Sequence, residues 1–472
     1  MQIHQREEAA PIVRRLLLRQ LCGGADASFQ SARLPRVAAN LPKTQMTIPL
    51  RYGRTGLALA LPANLDAQIL HLNPLPPLEN EAEAIEKSFQ NPIGAAPLLE
   101  LARGKKTACV VISDVTRPVP NAKILAPLLE TLERGGIERQ NIVILVATGL
   151  HRPNVGAELE EMIGADIARH YRVENHVAKD VAAMTDLGEI GFLDGQSARV
   201  ALNSHYCDAD LKITTGLIEP HFMAGYSGGR KLICPGIASA ATILQFHAPP
   251  MIGNPNARAG NLKNNPIHAM SRAVAGRVGC DFICNVTLSE SRQITGVFSG
   301  DLDAAHHAGI AHVDKQTKVE VEPAEIVVTT CAGYPLDTTF YQCVKGMVAA
   351  LPALKRGGTL ILATSLSEGL GGAEFREMCF GLKSVAEFLD RIYASPVQVD
   401  QWQLQEMMQV LQHAGEVMIV SDGVSAQTLG KFLLTPMPSV GAALEAAREN
   451  HGRDAKAVII PEGPYVTPVP RQ

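Results

Sequence analysis

Residues 107–148 read TACVVISDVTRPVPNAKILAPLLETLERGGIERQNIVILVAT, and this stretch decides the fold class. It opens and closes with the apolar runs TACVVIS (107–113) and NIVILVAT (141–148). Both are rich in β-branched residues and nearly continuous, which is typical of strands buried on both faces. Between them, apolar residues at helical spacing are followed by a glycine stop: Ile124, Leu125, Leu128, Leu129, Leu132 and Gly135. A strand, a helix and a strand in this order predict a parallel sheet covered by helices.

Five more apolar runs of this kind follow along the chain: ADLKITTG (209–216), EIVVTTC (325–331), GTLILAT (358–364), EVMIVSD (416–422) and KAVIIPEG (456–463). Their alternation with helical patterns predicts an α/β protein. We expect two α/β domains with mainly parallel, helix-covered sheets, and an active site in the interdomain cleft.

The segment 299–323 is helical and then polar, so we expect a domain boundary there. The N-terminal α/β domain would span residues 46–320, and the C-terminal α/β domain would span residues 321–445. Residues 446–472 form a tail that could pack back on the first domain.

The first 45 residues have a different character. They contain six Arg and one Lys against three acidic residues, and regular patterning begins only at Met46. Glu7, Glu8 and the missing apolar core argue against a secretory signal. We expect residues 1–45 to be a disordered N-terminal extension.

Composition excludes several classes of protein. A formal net charge of -4 gives no reason to expect nucleic acid or an anionic membrane as partner. No apolar run approaches the roughly 20 residues that span a bilayer. The 9 cysteines are scattered, and Cys280 and Cys284 have no second pair to complete a zinc site. We expect a reduced, cytoplasmic protein.

Polar and ionisable side chains follow several predicted strands at the points where those strands end. Ligands of open parallel sheets collect beyond the carboxyl ends of the strands, so we expect these side chains to meet at one edge. They are Asp114, Thr116 and Arg117 after the first run, His151 after the second, His221 and Lys231 after the third, and Tyr341, Gln342 and Lys345 after the fourth.

Taken one at a time, these residues have ordinary structural explanations. A histidine after a strand is more often a hydrogen-bonded loop residue than a base. The segment GYSGGRK (225–231) has neither the GxGxxG nor the Walker spacing. His151, His221 and His247 form no HExxH or i, i+4 pair, so no zinc site can be read from them. The residues alone indicate an α/β enzyme with histidines, an arginine and lysines at its cleft, and they name no reaction.

Several longer motifs, taken together in their order and spacing, resemble the nickel-dependent lactate racemase family. Upstream, EKSFQNPIG and LARGKK fit the same pattern. The resemblance covers about residues 46–465. The motifs are SDVTRPVP (113–120), ATGLHRP (147–153), EPHFMAGYSGGRK (219–231), CPGIAS (234–239), GYPLD (333–337), YQCVKGM (341–347) and DQW (400–402).

The resemblance implies a cofactor and a role for each site residue. The cofactor is a nickel-pincer nucleotide, pyridinium-derived and attached covalently to Lys231, with its Ni(II) bound by His247. His151 and His221 correspond to the catalytic acid/base residues, and cofactor-maturation proteins are implied as transient partners. The remaining positions correspond to cofactor contacts (Asp114, Thr116), to cations that hold the substrate carboxylate (Arg117, Lys345) and to pocket-lining residues (Tyr341, Gln342, Trp402).

These residue types suit the racemisation of a small-molecule 2-hydroxyacid. The α C–H bond is a poor acid, so moving its hydrogen as a hydride, while a base takes the hydroxyl proton, avoids a carbanion. A planar 2-ketoacid results, and return of the hydride to the other face inverts the centre. One base is needed on each face, and histidine exchanges protons near neutrality. Lactate is the default substrate.

Three alternatives stay open. The substrate could be another 2-hydroxyacid, such as malate, a longer aliphatic acid or a sugar acid. A NAD-dependent dehydrogenase could use the same sheet edge, although GxGxxG is missing. The third is a non-catalytic relative that binds nickel or a ligand.

Overall fold

The structure is a computed structural model that describes residues 46–471. The expected extension at residues 1–45 lies outside the described residues. Among residues 46–471, no helix combines the length and the apolar character that crossing a membrane requires.

The chain alternates between strands and helices. The strands are β1 (Thr47–Leu50), β2 (Leu57–Ala60), β3 (Ala67–Ile69), β4 (Ala108–Ser113), β5 (Ile142–Ala147), β6 (Arg172–Asn175), β7 (Met184–Leu193), β8 (Gln196–Asn203), β9 (Leu211–Leu217), β10 (Pro220–His221), β11 (Gly225–Tyr226), β12 (Phe282–Leu288), β13 (Ile294–Gly300), β14 (Lys318–Val321), β15 (Ala324–Thr330), β16 (Leu354–Ala363), β17 (Glu416–Val420), β18 (Thr435–Pro436), β19 (Ala457–Ile460) and β20 (Thr467–Pro470).

The α-helices are α1 (Glu81–Gln90), α2 (Leu98–Ala102), α3 (Asn121–Arg134), α4 (Ala157–Ile163), α5 (Ala165–His170), α6 (Ser204–Cys207), α7 (Ala240–Phe246), α8 (Pro249–Ile252), α9 (Pro266–Val278), α10 (Ala304–Thr317), α11 (Phe340–Ala350), α12 (Ala373–Phe380), α13 (Val385–Ala394), α14 (Gln401–His413), α15 (Ala426–Leu429) and α16 (Val440–His451).

Six strands form the first sheet, in the order β13-β12-β9-β4-β5-β6. All neighbours are parallel except β13, which runs antiparallel to β12. Alternate residues of β4 enter different cores: Val110 and Ile112 pack with the α3 side, whereas Cys109 and Val111 pack with the opposite face. This two-sided burial explains why the run 107–113 is almost continuously apolar.

Six further strands form the second sheet, in the order β18-β17-β16-β15-β19-β3, and all of its neighbours are parallel. Its central strand β15 is also buried on both faces, with Val327 in one core and Val328 in the other. Each of the seven predicted apolar runs forms a strand of one of the two sheets. The predicted α/β class with parallel, helix-covered sheets is confirmed.

Both ends of the described chain join the second sheet, which differs from the expected domain limits. Ala67 of β3 lies opposite Ala457 of β19, so residues 67–69 pair outside the domain expected for residues 46–320. β19 is an internal strand of the second sheet, where it pairs with β3, and β20 pairs with β14. The tail therefore contacts residues 67–69 and 318–321, near the two ends of the range 46–320. The strand β3 has three residues, too few to show a pattern. The division into two domains stays a prediction.

The chain leaves the second sheet after β3 and returns to it at β15, which follows β14 directly. We call residues 71–317 the first lobe, and residues 46–70 with 318–471 the second lobe. The two connections lie side by side, because the backbone N–H of Asn73 donates to the carbonyl of Gln316 at 2.8 Å. The Asn73 side chain also donates to the Lys318 carbonyl at 3.3 Å.

Candidate active site

A cavity of about 430 Å³ lies at the carboxyl edge of the first sheet, where residues of the second lobe close it. The loops after β4, β5 and β9 form one wall, and α11 and α14 form another. Every site residue expected from the sequence lines this cavity: Asp114, Thr116, Arg117, His151, His221, Lys231, His247, Tyr341, Gln342, Lys345 and Trp402.

His151 is held by a buried carboxylate. Its Nδ1 lies 2.7 Å from Oδ2 of Asp114, and the hydroxyl of Thr116 donates to the other oxygen of Asp114 at 2.6 Å. Burial by itself would raise the pKa of Asp114, but the bonds to His151 and Thr116 hold that pKa below its usual value. Asp114 is therefore ionised at neutral pH and accepts the Nδ1–H of His151. The Nε2 lone pair of His151 is then available to take a proton.

His221 is held in the opposite way. Its Nδ1 accepts the backbone N–H groups of Met223 and Ala224, at 3.4 and 3.3 Å. A ring nitrogen that accepts carries no hydrogen, so the neutral ring of His221 bears its proton on Nε2. Burial, together with the cations Lys231 and Arg117, holds the pKa of His221 well below its usual value. His221 is therefore neutral at physiological pH.

Lys231 lies in the short 3₁₀ turn Gly229–Leu232, which follows β11. Burial, with added repulsion from Arg117 and Lys345, lowers the pKa of Lys231 well below its usual value. The nearby carboxylate of Glu219 is already paired with Arg117, whose Nε lies 3.4 Å from its Oε1. A depressed pKa increases the fraction of Lys231 that is the free amine, and a free amine is nucleophilic.

His247 stands at the end of α7, where its ring stacks on Trp402 with ring centroids 4.3 Å apart. Its Nδ1 lies 2.9 Å from the carbonyl of Ile243, which fixes the hydrogen on Nδ1 and leaves Nε2 as a donor for a metal. Burial lowers the pKa of His247 to about 4. The ring is therefore in the neutral form that binds metal ions.

Arg117 and Lys345 bring two positive charges to the same cavity. Burial, with repulsion from Arg117, lowers the pKa of Lys345 to about 8. The Lys345 ammonium donates to the side-chain oxygen of Gln342 at 2.5 Å, and both residues lie on α11. This pair of cations suits a carboxylate ligand, because a guanidinium binds one in two places and an ammonium adds a point charge.

Several residues in the cavity wall or next to it were not expected from the sequence. Glu219 pairs with Arg117, and the amide of Gln403 donates to the Tyr341 carbonyl at 2.6 Å. Asp400 also lines the cavity in a left-handed conformation, with φ 69°. Glu219 and Asp400 do lie in two of the quoted motifs, EPH and DQW, which is a signal that could have found them. Gln403 lies in a helix and has no such signal.

Comparisons with known proteins identify the family of the chain. The model for the lactate racemase N-terminal domain matches residues 52–260, and the model for the lactate racemase C-terminal domain matches residues 319–467. A lactate racemase from Lactiplantibacillus plantarum is 38% identical over 387 residues, which cover 81% of this chain and 90% of that protein. A lactate racemase from Thermoanaerobacterium thermosaccharolyticum is 36% identical over 421 residues, covering 88% and 97%.

Solved structures give the same result. The lactate racemase apoprotein from Thermoanaerobacterium thermosaccharolyticum superposes with a TM-score of 0.83 at 34% identity, covering 90% of this chain and 100% of that one. A protein from Thermotoga maritima superposes with a TM-score of 0.63 at 17% identity, covering 84% and 100%, and this likeness concerns the fold alone. Two family domains and relatives more than one-third identical over most of their length show that the chain belongs to the lactate racemase family, an isomerase family of racemases.

Proposed function

We propose that this protein racemises a 2-hydroxyacid, with lactate as the default substrate, by proton-coupled hydride transfer through a 2-ketoacid. The proposal rests on one observation, a single cavity lined by two histidines, two cations and a lysine of depressed pKa. The two histidines differ in their hydrogen bonds, since Nδ1 lies next to a carboxylate in one and accepts backbone N–H groups in the other. The relatives named as lactate racemases support lactate as the substrate.

The chain's own residues account for binding and for proton movement. Arg117 and Lys345 hold the substrate carboxylate, so that the α carbon keeps its place while its configuration inverts. His151 takes the hydroxyl proton at Nε2, and Asp114 stabilises the imidazolium that forms. His221 presents an N–H to the substrate oxygen on the other side. The imidazolium form of His221, made when the ring takes a proton from solvent, would give the proton that completes the opposite enantiomer and would thereby return to the neutral ring.

The cavity fits a cofactor that brings most of its own metal ligands. Within the described residues, no group of three or more His, Cys, Asp or Glu side chains could hold a metal ion. His247 offers a single imidazole with a free Nε2, and the amine of Lys231, whose pKa is lowered, offers a point of attachment. An imidazole suits nickel, and soft sulfur donors on the group would supply the other ligands. We propose that Lys231 carries the nickel-pincer nucleotide and that His247 binds its Ni(II), with Asp114 and Thr116 nearby.

When bound, this group supplies the acceptor and the donor of the hydride. The protein supplies the orientation of the substrate, the charges that hold it and the proton path. We further propose that cofactor-maturation proteins act on the chain transiently. The cysteines among the described residues are free, which is consistent with a cytoplasmic location.

Mass spectrometry of the intact protein tests the cofactor. After production with the maturation proteins, we expect a nucleotide-sized adduct that peptide mapping places on Lys231, and a matching nickel content. Lys231→Ala should lack the adduct, whereas Lys179→Ala, at an exposed lysine on the cavity rim, should keep it. An active wild-type protein with unmodified Lys231 would contradict the attachment.

Chiral chromatography of single enantiomers tests the substrate. Lactate, malate, a longer aliphatic acid and a sugar acid should be offered separately, and we expect the highest kcat/KM with lactate. A higher value for another acid would make that acid the substrate and leave the reaction type intact. Activity that depends on added NAD and not on the nickel form would instead favour the dehydrogenase alternative.

A further inference from the structure

The backbone that carries Lys231 is anchored from beneath by residues outside the cavity. Arg230, the preceding residue, is 1% exposed, although an arginine is among the residues least often fully buried. Adjacent residues of a tight 3₁₀ turn point in different directions, so Lys231 lines the cavity while Arg230 enters the protein interior. A buried guanidinium in this position calls for a reason beyond packing.

Arg230 is tied to α10 by two side chains. Its Nη2 forms an ion pair with Asp303, and its Nη1 lies 3.0 Å from Nδ1 of His306. His306 is itself 1% exposed. A guanidinium has no acceptor atoms, so Nδ1 of His306 must accept the hydrogen bond.

The hydrogen bonds then continue in one direction to the turn. Nε2 of His306 lies 2.8 Å from the backbone carbonyl of Ser227. Because Nδ1 accepts, Nε2 carries the hydrogen and donates it to that carbonyl, and burial and Arg230 keep the ring neutral by lowering its pKa to about 3. We name Asp303, Arg230, His306 and the Ser227 carbonyl the Arg230 relay. It begins on a carboxylate and ends on the backbone four residues before Lys231.

The turn has no room to move toward this relay. A Cβ on Gly229 would lie 3.1 Å from the ring of His306, and φ there is +49°. A Cβ on Gly228 would lie 2.9 Å from the side-chain oxygen of Asn285, which also accepts the backbone N–H of Gly229 at 3.2 Å. The backbone before Lys231 is thus packed directly against β12 and α10.

We propose that the Arg230 relay is a positioning device, which fixes the turn so that the Lys231 side chain enters the cavity and can receive its covalent group. This inference rests on the proposed function for the attached group alone. The fixed position of the lysine is a property of the protein without any cofactor. Fixing a reacting group in advance removes orientational freedom that attachment would otherwise cost.

A first experiment uses protein produced without maturation proteins. Reductive methylation at a series of pH values, followed by peptide mapping, gives the pH midpoint for labelling Lys231. The low pKa of Lys231 comes from its burial, so releasing the turn should move this midpoint upward by at least one pH unit in Arg230→Gln. The matched control is Arg272→Gln, because Arg272 pairs with the same Asp303 at 3.1 Å but is 65% exposed. The control should keep the wild-type midpoint.

Two substitutions of His306 separate positioning from general stability. His306→Gln can keep the bond to the Ser227 carbonyl, since its amide nitrogen reaches the place of Nε2. His306→Asn places an oxygen near Nδ1 and loses that bond. We expect Gln to retain at least half of the wild-type adduct, and Asn to lose at least fivefold, at similar circular dichroism. Equal adduct in these two folded variants, with an unshifted midpoint in Arg230→Gln, would overturn the relay.

The two proposals fail in different ways. If the wild-type chain carries no adduct after maturation, the proposed cofactor is wrong, and the labelling midpoints still decide the relay. If the wild type carries the adduct, the two His306 variants carry equal amounts of it and the midpoint in Arg230→Gln is unshifted, the relay is wrong and the cofactor stands. Should Arg230→Gln not fold, the comparison of the two His306 variants decides.

Discussion

The two cavity histidines differ in the state of their ring nitrogens. His151 gives its Nδ1–H to Asp114 and keeps a free Nε2 lone pair, whereas His221 accepts at Nδ1 and keeps its hydrogen on Nε2. Nε2 of His151 can thus take a proton, and Nε2 of His221 donates a hydrogen bond. The proposed racemisation would use both side chains, one on each side of the substrate.

Removing either histidine should stop racemisation and leave half of the reaction. In His221→Ala, His151 can still take the hydroxyl proton of one enantiomer, so a single turnover should yield 2-ketoacid from that enantiomer alone. His151→Ala should do so only with the other enantiomer and more slowly, because His221 must first shift its hydrogen from Nε2 to Nδ1. Acid quench and quantification of the 2-ketoacid measure this, and steady-state racemisation should fall at least about 100-fold. Two-way activity in either variant would refute the assignment of two bases.

Lys345 should limit activity at high pH. Its pKa of about 8 means that the ammonium loses its proton above that pH and no longer attracts the substrate carboxylate. We therefore expect kcat/KM, which reports groups of the free enzyme, to fall as pH rises through about 8. Lys345→Arg should remove this decline, since a guanidinium stays protonated. Lys87→Arg, at a lysine that is 66% exposed, is the control and should keep the wild-type profile. A decline that persists in Lys345→Arg would assign the titration to another group.

Sequence reasoning at this scale succeeded where a residue follows a strand. Arg117 and His151 lie directly after β4 and β5, and parallel strands bring such positions together. The sequence alone could not predict which group forms a hydrogen bond with each histidine ring. The bond from His151 to Asp114 joins two loops, and the one from Ala224 to His221 depends on the local course of the backbone. Their roles in catalysis stay predictions.

At the scale of elements, α14 links the two lobes through polar side chains. Trp402 stacks on His247, and the amide of Gln405 donates to the carbonyl of Pro249 in α8 at 2.8 Å. The amide of Gln409 donates to the Ile252 carbonyl at 3.2 Å. These contacts explain why QWQLQEMMQ contains buried glutamines. An apolar periodicity could not reveal this helix as buried on all sides, because the side that meets α8 is made of glutamines.

Glu406 on α14 should lower stability at neutral and high pH. It is 1% exposed, its Oε1 has no hydrogen-bond partner among residues 46–471, and burial raises its pKa well above the usual value. The folded state therefore binds this proton more tightly than the unfolded state, so stability falls as pH rises above about 4.3. Glu406→Gln should raise the unfolding free energy at pH 8 by about 1 kcal/mol, or Tm by about 2–4 °C.

Differential scanning calorimetry at pH 5 and pH 8 measures this effect, and the gain should be larger at pH 8. The exposed Glu377→Gln on α12 serves as the control and should change Tm little at either pH. A gain of the same size at both pH values would mean that the carboxylate charge is not the cause.

At the scale of the whole molecule, the sequence predicts that parallel sheets form. It predicts only in part which strands belong to each sheet. Long apolar runs such as 107–113 and 358–364 are unambiguous because both faces of each strand are buried. The placement of β3 was missed because three residues carry no periodicity, and its pairing with β19 spans nearly the whole chain. Local pattern contains no information about contacts between such distant segments.

The pairing of the ends predicts an unequal response to truncation. A chain that stops after His451 lacks β19, an internal strand of the second sheet, and should lose cooperative unfolding followed by circular dichroism. A chain that stops after Val466 keeps β19 and loses only β20, which pairs with β14 outside the main sheets. It should unfold cooperatively with a modest decrease in Tm. Cooperative unfolding of the shorter chain would show that β19 is dispensable.

The side-by-side connections at Asn73 also have a mechanical consequence. Because the two connections between the lobes lie close together on one short line, the easiest motion of one lobe relative to the other is rotation about that line. Sliding and twisting of the two lobes would strain the bond from Asn73 to Lys318. Rotation would separate Trp402 from His247, while His151 and Asp114 travel together in the first lobe. Access to the cavity would then be governed by one angle, and the proton-taking pair would stay assembled at every value of it.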